Sequence, residues 1–223
     1  MGEAELQERS GELIIRSIFC FYGDGASSPM AEQIAKEIED HWNEPEAAVN
    51  IQKKKYNIRF EIKGYSDAAL KPETVWYNDD TKLNFFRIEK YVTGNISFVD
   101  GIGSNTGYFK LDNLTQTSTT AAHEYGHTIG LPHPNIADIR GGIEAGIMYP
   151  RGTLCDTHLQ YDPLALAAAH GGFLDPRHRK VCLNDIQNLR LHKLAFNEHR
   201  IAKLGEFTSI YHDKDVEGFV GIP

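Results

Sequence analysis

Residues 13–22 read Leu-Ile-Ile-Arg-Ser-Ile-Phe-Cys-Phe-Tyr, a nearly continuous apolar run. A strand with one wet face would alternate, so this run predicts a strand covered on both faces. Gly23-Asp24-Gly25 breaks it, and Ser28-Pro29 opens a helix, since proline is tolerated in a first turn that has no use for its N–H. Met30, Ile34, Ile38 and Trp42 fall on one face of that helix, with Glu32, Lys36 and Glu39 off it. Tyr56, Ile58, Phe60 and Ile62 then alternate with Asn57, Arg59, Glu61 and Lys63, which predicts a half-buried strand. Further strands are expected near 85–91, 95–99 and 108–111. The glycine-containing stretch 101–107 is a loop and not a phosphate cradle, because no helix opens at its end. Beyond residue 150 the pattern predicts a loop, an Ala-rich helical stretch over 164–170, a Gly-Gly break and a helix over about 184–200. The tail 204–223 carries no clear periodicity.

One stretch between these elements carries chemistry. Residues 123–133 read His-Glu-Tyr-Gly-His-Thr-Ile-Gly-Leu-Pro-His, that is H-E-x-x-H-x-x-G-x-x-H. Residues four apart share a helix face, so His123 and His127 can offer two imidazoles to one metal ion. The preceding Ser/Thr run and Ala121-Ala122 supply an N-cap and good helix formers. Gly130 can turn left-handed and Pro132 forbids further helix, so the chain leaves sharply and His133 can return as a third ligand. Three histidines leave one tetrahedral position of a zinc ion open, which is the catalytic arrangement. Glu124 is rotated about 100° from His123 around the helix axis, within reach of a water at that position but off the ligand line. Zinc brings the pKa of such a water from about 15.7 towards 7. Glu124 is then placed to take its proton as general base and to return it to a leaving amine. A catalytically inactive, zinc-stabilised binding module would use the same histidines, but it would have no use for the unliganded glutamate.

These residues resemble those of the metzincin zinc metallopeptidases. The resemblance implies a downstream Met-turn, and Gly146-Ile147-Met148-Tyr149-Pro150 stands where one is expected, with Met148 forming an apolar floor beneath the histidines. The Ile-Met-Tyr-Pro order is similar to the matrixin turn, whereas Pro134 after the third histidine is similar to serralysins. In some relatives a tyrosine two places after the methionine reaches the metal. Here that place is Pro150, so Tyr149 is assigned to the substrate pocket. Asp185, in Leu183-Asn184-Asp185-Ile186, matches one acid of the matrixin C-terminal helix that helps hold the Met-turn; an N-cap role is the alternative. The resemblance implies an α+β, metzincin-like zincin fold. Its parts are a twisted mixed sheet with a long helix, a zinc-binding active-site helix, and a smaller C-terminal subdomain with the Met-turn and a C-terminal helix. It divides a single catalytic domain, 1–223, into an N-terminal subdomain over about 11–133, a C-terminal subdomain over about 134–203, and the tail. By the same analogy the strand at 108–111 is the sheet edge above the cleft, where an extended peptide adds as a further strand.

Composition narrows the setting. The chain has 223 residues, 41% of them hydrophobic, and a net charge of −8, which argues against nucleic acid and anionic membranes as partners. No run approaches the eighteen apolar residues or so of a membrane span. No signal peptide is seen, so synthesis in the cytoplasm is expected. With no segment that reads as a pro-peptide, an exported bacterial toxin or effector, delivered by a dedicated route and restrained by an inhibitor protein, is a second expectation. The expected partners are thus a protein or peptide substrate and a proteinaceous inhibitor, and the expected cofactor is Zn2+. Cys20 reads as a core residue, while Cys155 and Cys182 are candidates for a disulfide in a secreted setting. Asp79-Asp80 lacks the loop pattern of a calcium site. The basic run Arg177-His178-Arg179-Lys180 reads as a solvated face. Of the remaining histidines, His158 and His170 lie on the side of the sequence expected to border the cleft.

Overall fold

A computed structural model describes residues 1–115, 118–142, 144–161 and 173–215. Among them the strands are β1 (Gly2–Gln7), β2 (Glu12–Tyr22), β3 (Ala48–Ile51), β4 (Lys54–Ser66), β5 (Leu83–Glu89), β6 (Phe98–Val99), β7 (Thr106–Lys110) and β8 (Ile201–Leu204). The α-helices are α1 (Ser28–Asn43), α2 (Pro72–Trp76), α3 (Thr120–Thr128) and α4 (Leu183–Asn188). The fold is α+β: a mixed sheet, curled as half a barrel, with helices packed against it. None of the helices among the described residues is long and apolar enough to cross a membrane.

The sheet order is β3-β4-β2-β5-β7-β6, with β4, β2, β5 and β7 parallel and β3 and β6 antiparallel at the two ends. β2 is its centre, as the apolar run predicts. Phe19 and Phe21 point into the large core shared with α1 and α3, while Cys20 and Tyr22 point into a smaller core with Val75 and Phe85 on the other face. Both sets are buried, which is why the sequence shows no alternation. α1 buries Ala31, Ile34, Ala35, Ile38 and Trp42 against the first face, the stripe its periodicity predicts.

Two parts of the sheet lie outside the sequence pattern. β1 and β8 pair with each other, and β1 also pairs antiparallel with the first half of β2, whose second half pairs with β5. The strands β1 (Gly-Glu-Ala-Glu-Leu-Gln) and β8 (Ile-Ala-Lys-Leu) are short, and a period over so few residues does not distinguish a strand from a loop. The sheet edge also differs from expectation. The strand expected at 108–111 is β7, and it is internal. The two-residue β6 lies outside it, pairing Phe98 with Tyr108 and Val99 with Gly107.

The helix expected over 184–200 ends at Asn188, because Arg190 adopts a left-handed conformation (φ 50°) and a 3₁₀ turn, Leu191–Lys193, follows. The helix expected at 164–170 lies outside the described residues. The first part of the tail does pack: Tyr211 stacks on Tyr22 with ring centres 5.2 Å apart, and His212 lies against Phe98 and Tyr108 while binding Asp100 at 2.8 Å. All three cysteines are free thiols, so Cys155 and Cys182 do not pair.

Candidate metal centre

α3 is held from behind. The Trp42 indole N–H donates to the Ala122 carbonyl at 3.0 Å, and the rings of Trp42 and Tyr125 meet edge to face at 5.5 Å. The Tyr125 hydroxyl lies 3.0 Å from Ser17 Oγ on the central strand. With Tyr125 directed into the core, His123 and His127 face the other way, as a spacing of four requires. The helix then ends as the sequence predicts. Gly130 has φ +104°, its N–H and that of Ile129 return to the carbonyls of His127 and Tyr125, and Leu131 N–H returns to Gly126. From this turn His133 swings back towards the other two imidazoles.

The three histidines meet through their Nε2 atoms. His133 Nε2 lies 3.1 Å from His123 Nε2 and 3.0 Å from His127 Nε2. The Nδ1 atoms of His123 and His127 are committed to carbonyl oxygens, Ile147 O at 2.6 Å and Leu131 O at 2.7 Å. A carbonyl only accepts, so both Nδ1 atoms carry the proton and both Nε2 atoms present lone pairs. His133 Nε2 can meet those lone pairs either with a proton of its own or, with all three Nε2 atoms unprotonated, around a shared cation. Zinc–nitrogen bonds of about 2.0–2.1 Å place tetrahedral ligand atoms about 3.3–3.4 Å apart, within a few tenths of an ångström of the spacing here. His123, His127 and His133 therefore form a three-histidine cluster suited to a metal ion.

The surrounding charges favour the same state. Burial holds His123 well below the ordinary histidine range, with Arg179 and His127 adding to the effect. Burial brings His127 down to about 4, and it lowers His133 as well. Neutral imidazoles are the metal-binding form, so protons compete little at neutral pH. Burial pushes Glu124 up to about 8, opposed by the nearby Arg179. None of the described residues hydrogen-bonds its carboxylate.

The floor is built by the turn at 146–150. A β-carbon on Gly126 would overlap the sulfur of Met148, so the thioether fills the space beneath the turn of α3 between the two histidines. Asp185 secures this turn from α4. Its carboxylate accepts from Ile147 N–H at 3.4 Å and from Cys182 N–H at 2.8 Å, so it both ties the Met148 segment and caps its own helix. The N-cap itself is Cys182; Asp185 is the third helical residue, whose carboxylate reaches back to the N-cap N–H, so the N-cap reading of Asp185 does not hold.

A cavity of about 780 Å³ opens over the cluster, lined by His123, Glu124, His127 and His133. Ile96 to Val99, containing the edge strand β6, forms one wall, and Pro150 to Gly152 with Asp175 to Arg177 and Arg179 forms a second. The ring of Tyr149 is buried behind that second wall against Ile139, Ala145, Cys155 and Leu174. There an apolar ring gains more than it would at a wet cleft. His158 is exposed and is not among the lining residues, and His170 lies outside the described residues.

Arg179 is the residue the sequence concealed. It sits in a basic run that reads as solvated, yet it is 5% exposed. Its guanidinium donates to Tyr149 O at 3.2 Å and, through Nε, to Thr119 Oγ1 at 3.2 Å. Its Nη1 also lies 2.8 Å from His123 Nδ1. With Nδ1 protonated towards Ile147, that last approach is a contact between two donors and contributes no bond. Neighbouring Arg177 does follow the solvated reading, and it pairs with Asp175 at 2.6 Å. Nothing in the local pattern separates the two arginines; the contacts of Thr119 and the Met148 turn do.

No family model matches the chain, and a search of curated proteins finds no match either.

Proposed function

We propose that the chain is a zinc-dependent endopeptidase of metzincin type. The observation that carries this reading is Glu124: a buried carboxylate, hydrogen-bonded by none of the described residues, lining the same cavity as three imidazoles that converge through Nε2. A purely structural site gains nothing from that carboxylate and bears the cost of burying it. His123, His127 and His133 would hold the zinc ion, which supplies polarisation of a carbonyl and acidification of a water.

The chain's own residues support the remaining steps. Glu124 lines the same cavity as the three imidazoles, off the ligand line, and with zinc bound nearby its carboxylate would be favoured, so it is placed to take a proton from water and give it to the departing amine nitrogen. The carbonyls of Ile147 and Leu131 orient two imidazoles and fix their tautomers. β6 offers its outer edge along the cavity, where an extended peptide adds as an antiparallel or parallel strand. Segments that can unfold locally are then the favoured substrates.

The test is hydrolysis of an unfolded protein or a quenched peptide. Activity is expected to vanish with a chelator and return with zinc, and to be lost in Glu124→Gln. Stoichiometric zinc with no turnover on any peptide library would instead make the site a zinc-held binding module.

A further inference from the structure

Arg179 is a buried cation that no carboxylate among the described residues hydrogen-bonds, although Glu124 and Asp175 lie near enough to act on its charge. It is buried, it lines the cavity, and it forms no salt bridge among the described residues. Its hydrogen bonds run from Nε and Nη1 to neutral oxygens, and none of the described residues accepts from Nη2. The other acids on the cavity wall are committed elsewhere: Asp175 to Arg177 and Asp112 to Lys110. At the rim, Arg151 is exposed and lies over the Tyr161 ring at 5.0 Å, also without a carboxylate partner among the described residues. A chain with a net charge of −8 thus turns two guanidinium groups, neither with a salt bridge among the described residues, into its one described histidine-lined cavity. Burying a cation without an ionic partner costs several kcal/mol. A guanidinium fixed by three neutral acceptors, with Nη2 bonded to none of the described residues, has N–H groups left for a carboxylate.

We propose that Arg179 is a specificity-determining residue that binds a carboxylate of the substrate beside the metal centre. This rests on the peptidase reading for its substrate class, but the recognition itself is a binding property. The carboxylate has two sources, an Asp or Glu side chain close to the bond being cut or the free C-terminus of a peptide. Arg179, anchored to Tyr149 O and Thr119, lines the same cavity as β6, so the bound carboxylate lies in the cleft that the edge strand borders.

The experiment measures binding with the full-length chain, zinc-loaded and carrying Glu124→Gln, so that peptide remains uncut. Labelled octapeptides with amidated ends carry Glu or Gln at each central position in turn, and a neutral set compares free with amidated C-termini. Fluorescence anisotropy is expected to show one Glu peptide, or the free-terminus peptide, binding at least tenfold tighter than its neutral counterpart. The first outcome assigns the side chain and the second the terminal carboxylate. Arg179→Lys should retain part of the preference, and Arg179→Met should reduce it below twofold; circular dichroism checks that both are folded. If Arg179→Met unfolds, the ratio in the Arg179 chain and its reduction in Arg179→Lys decide. Ratios within twofold for every pair, absence of any peptide binding, or a preference that survives Arg179→Met would overturn the proposal. Cleavage without acid selectivity overturns this proposal alone. Acid-selective binding by a chain that cleaves nothing overturns the peptidase reading alone.

Discussion

The sulfur of Met148 occupies the space that a β-carbon on Gly126 would need. Gly126 lies between His123 and His127 on α3, where glycine costs roughly 0.5–1 kcal/mol relative to alanine. Gly126→Ala would recover that amount and lose roughly 1–3 kcal/mol to overpacking against a thioether already seated under the helix. The net expectation is destabilisation, with weaker zinc affinity as the histidine-bearing turn is pushed off its floor. Urea denaturation and zinc competition with a chromogenic chelator measure the two effects. A variant that is more stable and binds zinc unchanged would show that the floor is not in contact as described.

Asp185 ties the Met148 segment to α4 through two backbone N–H groups. Asp185→Ala leaves both donors buried or half-buried without their partner, an expected loss of roughly 2–4 kcal/mol for hydrogen bonds to a charged group. Asp185→Asn keeps one acceptor oxygen and should lose less. Faster release of zinc by Asp185→Ala, measured by chelator-driven dissociation, is the accompanying expectation.

Much of this architecture was legible in the chain because it is local or strongly periodic. The central strand announced its two covered faces, α1 its buried stripe, and residues 123–133 their helix, their left-handed exit and the return of His133. What remained hidden depends on partners distant in sequence. β1 and β8 are short strands fixed by long-range pairing, β8 on β1 and β1 on the first half of β2. β6 is two residues long and became the edge by lying outside β7, which no local pattern encodes. Arg179 looks like Arg177 until Thr119 and Tyr149 close over it.

Burial raises Glu124 to about 8, so the metal-free protein should bear a pH-dependent cost there. In the unfolded chain this carboxyl ionises near its ordinary pKa of about 4.3. Between that pH and about 8 the folded state binds the extra proton, so this group's contribution makes stability fall as pH rises. Metal-free Glu124→Gln is therefore expected to be more stable than its parent at pH 7.5, by roughly 1–3 kcal/mol after the cost of burying an amide is set against the gain. The difference should shrink towards zero near pH 4. Equal stabilities at pH 7.5 would mean that Glu124 is not buried as found.

His127 works in the opposite direction. Its folded value of about 4 lies below the ordinary 6.5, so the unfolded state takes up the proton first as pH falls. Its contribution is intact above about pH 6.5 and is lost on acidification, by about 2 kcal/mol at pH 5. His127→Gln should flatten this acid limb of the metal-free stability curve, which chemical denaturation at a series of pH values would reveal.

The central claim is that three histidines and one buried glutamate make a hydrolytic centre. Its most direct measurement is the rate at which the zinc-loaded chain and its Glu124→Gln variant cleave one unfolded protein, both shown to carry a single equivalent of zinc. The account predicts cleavage by the parent, abolished by chelation and restored by zinc, and a rate lower by roughly 10²–10⁴ in the variant. Equal rates for the two proteins, or no cleavage by a parent that is folded and zinc-loaded, would contradict it.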